Sequence, residues 1–270
     1  MKTIAVMGLG LMGSSLGLAL KKREVPVNVR AYARRAETRD AALALGAADA
    51  VFADPREAVN GADLVVFCVP ILTIPTLAMV CLGGLKPGAI LTDVGSTKAE
   101  LATLMNDLLQ GTDAKFVGSH PICGSEQQGI EAGDADLYEG SVTVVAAENT
   151  EVSSLWKNVG STVRVMTPEA HDEILAATSH LPHVIAATLV RSVHDGLFCG
   201  TGFRDTTRIA EGSPEVWSDI VCTNAPALKA ALKTFRGQLD EFEGLIDAGD
   251  GEQLTAWFSV AREQRKELLG

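Results

Sequence analysis

The stretch that decides the fold is Thr3-Ile4-Ala5-Val6-Met7-Gly8-Leu9-Gly10-Leu11-Met12-Gly13, running on into Ser14-Ser15-Leu16-Gly17-Leu18-Ala19-Leu20. A strand-length apolar run ends in a G-x-G-x-x-G pattern, and a helical pattern opens inside it. That placement gives each glycine its own task. Gly8 permits a tight turn, Gly10 lets the backbone approach a pyrophosphate, and Gly13 allows close packing of helix on strand. The helix N-terminus at Leu11 and Met12 then offers amide donors and partial positive charge to phosphate oxygens. Gly8, Gly10, Leu11, Met12 and Gly13 are therefore assigned to a dinucleotide site. The plainer reading of the same residues is a tight turn whose glycines serve packing alone.

Outward from this unit, short β-branched runs alternate with amphipathic segments as far as Met166. Strands are expected at Thr3–Met7, Val27–Tyr32, Leu64–Val69, Ala89–Thr92, Lys115–Val117, Ser141–Ala146 and Thr162–Met166, with a further short one near Val51. Helices are expected at Leu11–Lys21, Thr38–Leu45 and Lys98–Leu109. This is the pattern of an α/β, Rossmann-type, doubly wound and mostly parallel sheet over residues 1–166. After it, Thr167-Pro168-Glu169 and Ser213-Pro214-Glu215 read as capped helix starts. The apolar stretch to about Val193 is interrupted by Pro182, and Ala225–Ala248 and Glu252–Leu269 are helical. Residues 167–270 are thus expected to form an all-helical domain.

Composition narrows the function. With 270 residues, 47% of them hydrophobic, the chain can bury a core large enough for two modest domains. The formal net charge of −11 argues against nucleic acid or an anionic membrane as partner. Five scattered cysteines without C-x-x-C spacing fit neither a disulfide framework nor a zinc site, and point to the cytoplasm. No signal peptide is read at the N-terminus and no apolar run of membrane-spanning length is expected. His180 and His183 flank Pro182 without an H-E-x-x-H pattern, so no metal is expected. His171 and His194 read as solvated or capping residues.

The end of the second strand reads Ala31-Tyr32-Ala33-Arg34-Arg35. Ala33 stands where an acidic residue would hold an unmodified adenine ribose, and two arginines follow. Arginine beside the ribose suits a 2′-phosphate, which favours NADP over NAD; the alternative is that Arg34 and Arg35 are solvated loop residues. Two polar loops fall at the same sheet edge, Asp93-Val94-Gly95-Ser96-Thr97-Lys98 and Gly118-Ser119-His120-Pro121. If their strands are parallel neighbours, Ser96 and His120 come together facing the nicotinamide. A histidine there suits removal of a carbinol proton, because its pKa lies near neutrality, and a serine hydroxyl can orient the ring or bond the substrate oxygen.

Gly118-Ser119-His120-Pro121-Ile122-Cys123-Gly124-Ser125-Glu126, with Gly129-Ile130-Glu131 after it, resembles the signature of prephenate and arogenate dehydrogenases. So do Asp93–Lys98, Ser179-His180-Leu181-Pro182-His183, Gly202-Phe203-Arg204-Asp205-Thr206-Thr207-Arg208-Ile209-Ala210 and Trp217. The resemblance implies oxidative decarboxylation of a small dicarboxylate on the route to tyrosine, by a homodimer formed through the helical domain. It implies that His120 removes the ring-hydroxyl proton with Ser96 in support, that His183 lines the substrate pocket, and that Arg208 binds a substrate carboxylate. Ile122-Cys123 departs from the family's common Met-Ala, and Cys123 reads as a packing residue. No regulatory or chorismate mutase segment is expected. Arg204 is open between a ligand contact and a surface partner of Asp205; Glu126 and Gln127 between substrate contacts and a helix start. Trp217 is read as domain packing.

Two rivals remain at this level. A β-hydroxyacid dehydrogenase shares the two-domain plan but carries a catalytic lysine on the interdomain helix, and Ala176–Val193 contains no lysine. A non-catalytic NAD(P)-sensing protein would not need Ser96, His120, His183 and Arg208 together. No residue that tells the keto group of prephenate from the amino group of arogenate is legible.

Overall fold

Strand alternation sets the core. In the run Ile4-Ala5-Val6-Met7, Ile4 and Val6 point to one face of the sheet and Ala5 and Met7 to the other, and all four are fully buried. A strand apolar on both faces belongs in the middle of a parallel sheet with helices on either side. That is its position in the computed structural model, which describes residues 2–124 and 127–270. Six strands, β1 (Thr3–Met7), β2 (Asn28–Tyr32), β3 (Ala50–Phe52), β4 (Leu64–Phe67), β5 (Ile90–Asp93) and β6 (Lys115–Phe116), pair in parallel in the order β3-β2-β1-β4-β5-β6. The connecting helices are α1 (Leu11–Lys22), α2 (Ala36–Leu45), α3 (Pro55–Val59), α4 (Ile74–Cys81) and α5 (Ala99–Leu108). Strand order reverses between β1 and β4, so a crevice opens at their carboxyl ends, where such sheets bind ligands.

The doubly wound sheet is as expected; the strands after β6 are not part of it. A separate three-stranded sheet holds β7 (Ser119–Ile122), β8 (Val142–Val145) and β9 (Thr162–Val165), with β7 antiparallel to β8 and β8 parallel to β9; α6 (Thr150–Asn158) joins the last two. Strand β7 has no signature in its composition. Its Ser-His-Pro core lacks β-branched residues, and Pro121 is tolerated because β7 is an edge strand. His120 therefore sits within a strand rather than on a loop.

Helices follow from Thr167 onward: α7 (Pro168–Leu175), α8 (Leu181–Arg191), α9 (Thr201–Thr207), α10 (Pro214–Thr223), α11 (Ala225–Ala248) and α12 (Gly251–Leu269). Thr167 caps α7 by accepting from the Ala170 amide at 3.2 Å, with Pro168 in the first turn. Pro182 does not interrupt the helix as expected. A π turn at Ala176–His180 widens the backbone just before it, and the proline falls in the first turn of α8, where its missing N–H costs little. Pro168–Arg191 is thus one continuous helix of 24 residues, long and apolar enough by length and composition to cross a membrane, which corrects the expectation that no run reaches that length. Its buried residues include His171, Asp172, His180 and His183, and these bond or stack with other parts of the protein.

By compactness the chain divides into two units, Met1–Ala225 and Pro226–Gly270. The first unit contains both sheets and the helices through α10. The second, Pro226–Gly270, consists of α11 and α12, which meet through the rings of Phe242, Trp257 and Phe258 at centroid distances of 4.8 to 5.7 Å.

Candidate active site

The three glycines of the first loop answer to different constraints. Gly8 has a φ of +113°, and a Cβ there would lie 2.6 Å from the Cys68 carbonyl oxygen. A Cβ on Gly13 would lie 1.9 Å from the Gly8 carbonyl oxygen. Fold alone demands both. At Gly10 a Cβ would meet no protein atom within 4 Å, so packing does not explain a glycine there. Gly10 is the N-cap of α1 and supplies no side-chain cap, and no acidic residue stands in the first turn, so the amides at Leu11 and Met12 begin a helix end open to an anion. A bare, uncapped helix start suits the pyrophosphate of a dinucleotide.

At the end of β2 the Arg39 guanidinium donates to the carbonyls of Ala33 and Arg34, at 3.1 and 2.7 Å, and fixes the loop. Arg34 and Arg35 are left exposed, with no ion-pair partner among the described residues. Arg35 lines a cavity of about 340 Å³ with Glu37, Thr38, Ile130 and Glu131.

The polar loop after β5 is built around Asp93. Its carboxylate pairs with the fully buried ammonium of Lys98 and accepts from the amides of Gly95, at 2.8 Å, and Ser119, at 3.0 Å. The Ser119 hydroxyl donates to the Asp93 carbonyl at 2.6 Å and accepts from Trp156 Nε1 at 2.9 Å. These bonds tie the end of β5 to the start of β7 and so set the position of His120. The premise of parallel neighbours holds for β5 and β6, which pair Ile90 with Lys115 and Leu91 with Phe116.

His120 is buried, and its Nδ1 lies 2.9 Å from Nε2 of His171. His171 Nδ1 lies 2.7 Å from Asp172 Oδ1. The two oxygens of Asp172 accept from the backbone amides of Lys98 and Ala99, at 2.8 and 2.9 Å, at the start of α5. Asn224 donates to the Asp172 carbonyl at 2.8 Å and lies 3.1 Å from Nδ1 of His180. His180 meets Trp217 edge-on at 6.2 Å, and Trp217 stacks on His183 at 3.4 Å. A single network therefore joins the two sequence-derived histidines, His120 and His183, through residues between them.

Burial pushes the basicity of His120 well down, with His171, Lys98 and His180 adding to the effect. His180 is pushed down to about 4, chiefly by burial, and His183 is lowered by the same cause. All three rings are neutral at pH 7. His183 Nδ1 is buried without a hydrogen-bond partner among the described residues, a donor or acceptor left for a ligand. Burial raises the Cys123 thiol to about 11, which agrees with a packing role and leaves little thiolate.

Ser96 is half-buried in the loop before α5, and its hydroxyl has no partner among the described residues. Arg208 is exposed at the start of the turn Arg208–Glu211, which packs on α8, the helix that carries His183. Directly after it, Gly212 lies against the Trp217–His183 stack, where a Cβ would be 2.5 Å from Trp217 Nε1. Trp217 thus packs as expected, but on a site histidine. Arg204 is exposed and makes no ion pair with Asp205. His194 is exposed, as read from the sequence. Glu126 lies outside the described residues.

The reading of His171 as solvated or capping is wrong: it is fully buried and bonded on both sides. Asp172 and Asn224 are not singled out by the sequence, and Lys98 only as part of the polar loop, not as the buried partner of Asp93. The available signal was an adjacent His-Asp pair in an amphipathic helix, on the face shared with Leu175, where burial of such residues requires partners. No group of residues fit to hold a metal ion occurs among the described residues.

Comparison with known proteins places this geometry. The sequence model described as prephenate dehydrogenase, nucleotide-binding domain, matches residues 16–165, and that described as prephenate dehydrogenase, dimerization domain, matches residues 167–260. A cyclohexadienyl dehydrogenase of Zymomonas mobilis is 34% identical over 99% of this chain and 96% of its own length. A prephenate dehydrogenase from A. aeolicus, solved with hydroxyphenyl propionate and NAD+, superposes with a TM-score of 0.90 at 29% identity, covering 99% of this chain and 98% of that one. An arogenate dehydrogenase from Synechocystis gives 0.87 at 28% identity, covering 99% of this chain and all of that one.

Proposed function

Because the chain belongs to the prephenate dehydrogenase family, we propose that it oxidatively decarboxylates prephenate or arogenate with NADP, and that His120 is the base. The observation that carries the reading is the buried, neutral His120 in β7, the strand that Ser119 ties to Asp93 at the carboxyl end of β5. Among the described residues its Nδ1 is engaged and its Nε2 has no partner.

The residues divide the chemistry as follows. Gly8, Gly10, Leu11, Met12 and Gly13 hold the pyrophosphate, and Arg34 and Arg35 the 2′-phosphate. Bound oxidised nicotinamide supplies the hydride acceptor. His120 Nε2 takes the hydroxyl proton, and the O–H electron pair becomes a C=O bond as the carbinol C–H bond breaks and its electron pair leaves with the hydrogen as hydride. Loss of the ring carboxylate as carbon dioxide then returns an electron pair to the ring and pushes one onto the oxygen. That oxygen recovers the proton, so a phenol is formed and the proton is lent rather than lost. Ser96 bonds the reacting oxygen, His183 uses its free Nδ1 on the substrate, and Arg208 clamps a carboxylate with two parallel donors. The two family models meet near residue 166, and we take 1–166 and 167–270 as the functional domains, the second making a homodimer. All five cysteines are free, which suits a cytoplasmic enzyme.

Reduced-nicotinamide absorbance, with prephenate and arogenate offered separately and with each cofactor, tests the assignment. Turnover of at least one substrate is expected, with kcat/KM for NADP at least ~10-fold above that for NAD, the scale of one or two charge-assisted hydrogen bonds. Replacing Arg34 and Arg35 by serine should remove that preference. A clear preference for NAD, or no turnover of either acid, would refute the corresponding part. Arg208→Lys keeps the charge but loses the planar fork, so KM for the acid should rise roughly tenfold with kcat little changed. An unchanged KM would take the clamp away from Arg208.

A further inference from the structure

Two residues beside the proposed base have a geometry that assigns their protons. Both carboxylate oxygens of Asp172 accept from backbone amides, and an amide can only donate. Those amides open α5, so the carboxylate also sits at the positive end of a ten-residue helix. The third bond to it comes from His171 Nδ1 at 2.7 Å, which must then carry a hydrogen. A neutral imidazole protonated at Nδ1 has a lone pair at Nε2. That lone pair faces His120 Nδ1 at 2.9 Å, so His120 donates from Nδ1 and its Nε2 is bare.

We infer that His171 and Asp172 form a proton relay behind His120, holding its Nε2 in the accepting tautomer and taking over the positive charge when the substrate's proton arrives. The inference rests on the reading of His120 as the base and deepens it. The step balances. The substrate O–H bond breaks and His120 Nε2–H forms; His120 Nδ1–H breaks and His171 Nε2–H forms. The charge comes to rest on His171, in contact with the Asp172 carboxylate. The same bonds reverse when the phenol oxygen recovers its proton, with no other reactant required.

Electrostatics explain why a relay is needed. His120 is buried, and Lys98, His171 and His180 all disfavour a cation there. The Lys98 charge is opposed by Asp93, with which it pairs. The carboxylate facing this cluster from α7 is Asp172, and it reaches His120 through His171 alone. An imidazolium on His120 would be poorly compensated, whereas one on His171 is ion-paired. His171 touches no reacting atom in this account and is a positioning and relay residue.

The test compares wild type with His171→Gln and Asp172→Asn, as full-length enzyme with cofactor. It reads kcat and KM across pH, together with cofactor Kd. Removing the relay should lower kcat by ~100-fold or more, by analogy of role with the orienting carboxylate of a catalytic triad. KM and cofactor Kd should stay within about threefold, as expected when an interaction made only in the transition state is lost. The sign of the pH effect follows from the charge. The Asp172 carboxylate stabilises the positive charge that the arriving proton brings, so its removal disfavours the protonated state and moves the acid limb of kcat to lower pH. A merely structural role would not move that limb. Asp172→Asn also weakens the cap of α5; His171→Gln leaves that cap intact and keeps the test valid if the first variant does not fold. A kcat within twofold of wild type, or a lowered kcat with an unmoved acid limb, would overturn the relay. If His120→Asn loses turnover in the same assays while both relay variants behave as wild type, the relay fails and the base stands. If His120→Asn keeps turnover, the base itself fails.

Discussion

His120→Asn is expected to lower kcat by ~10²- to 10⁴-fold, the range in which a positioned general base contributes, or about 3–5 kcal/mol of transition-state stabilisation. Asparagine retains a polar group in the edge strand β7, so the bonds of Asp93 to Ser119 and Lys98 that place the strand are untouched. What it cannot do is take a proton. The loss should therefore fall on kcat, with KM for the acid and affinity for the cofactor close to wild type. Steady-state turnover followed by reduced-nicotinamide absorbance measures it. Near-wild-type kcat would leave His120 a structural hydrogen-bonder, the ordinary fate of a buried histidine.

Gly13→Ala and Gly10→Ala are expected to part company. At Gly13 the new methyl would stand 1.9 Å from the backbone oxygen of Gly8, and that oxygen belongs to the tight turn directly after β1, where the Gly8 amide is bonded to the Tyr32 carbonyl at 3.1 Å, so it cannot swing aside. The gain of helix propensity, up to about 1 kcal/mol, is outweighed by overpacking of typically 1–3 kcal/mol or more, so Tm should fall by several degrees. At Gly10 the methyl meets no protein atom, and φ of −83° with ψ of −163° is open to alanine. The apo Tm should hardly move, while cofactor Kd should rise ~10-fold or more, because the space the methyl fills is the space a pyrophosphate needs. Thermal melts with and without cofactor separate the two. Equal loss of Tm in both variants would mean that all three glycines serve packing, and the dinucleotide site would lose its best structural support.

These contrasts show what sequence can and cannot convey. Strand β1, the glycine turn and α1 are legible because each residue answers to a local rule of period, turn or cap. The same holds for Thr167-Pro168 and Ser213-Pro214, whose capping roles are met at the start of α7 and α10. Strand β7 was not legible. Ser119-His120-Pro121 is held as a strand by tertiary bonds to Asp93 and by pairing with β8, and neither leaves a mark in its composition. His120 could be picked out as chemistry, but not His171. The role of His171 depends on its bond to Asp172, whose carboxylate is held by the backbone amides of Lys98 and Ala99, 74 and 73 residues before Asp172 in the chain. Pro182 misled for a similar reason: a proline ends a helix unless the turn before it widens, and a π turn has no sequence rule of comparable strength.

Arg208 and Ser96 mark the opposite limit. Arg208 is legible only through resemblance, whereas Ser96 is also placed by the expected order of the strands, and the structure leaves both without a partner among the described residues, as groups that await a ligand would be. Whether the acid is prephenate or arogenate turns on a group at the far end of the side chain, and a comparison of the two in one assay addresses it.

The central claim is that Nε2 of His120 faces the hydroxyl whose carbon gives up its hydride. The distance between that nitrogen and the ring oxygen, in a crystal structure of the enzyme with oxidised cofactor and a hydroxyphenyl product analogue, measures it directly. A separation of ~2.6–3.2 Å, the reach of a proton transfer, is the expected result. An imidazole turned from the ring oxygen, with a different side chain or only solvent within that reach, would contradict it.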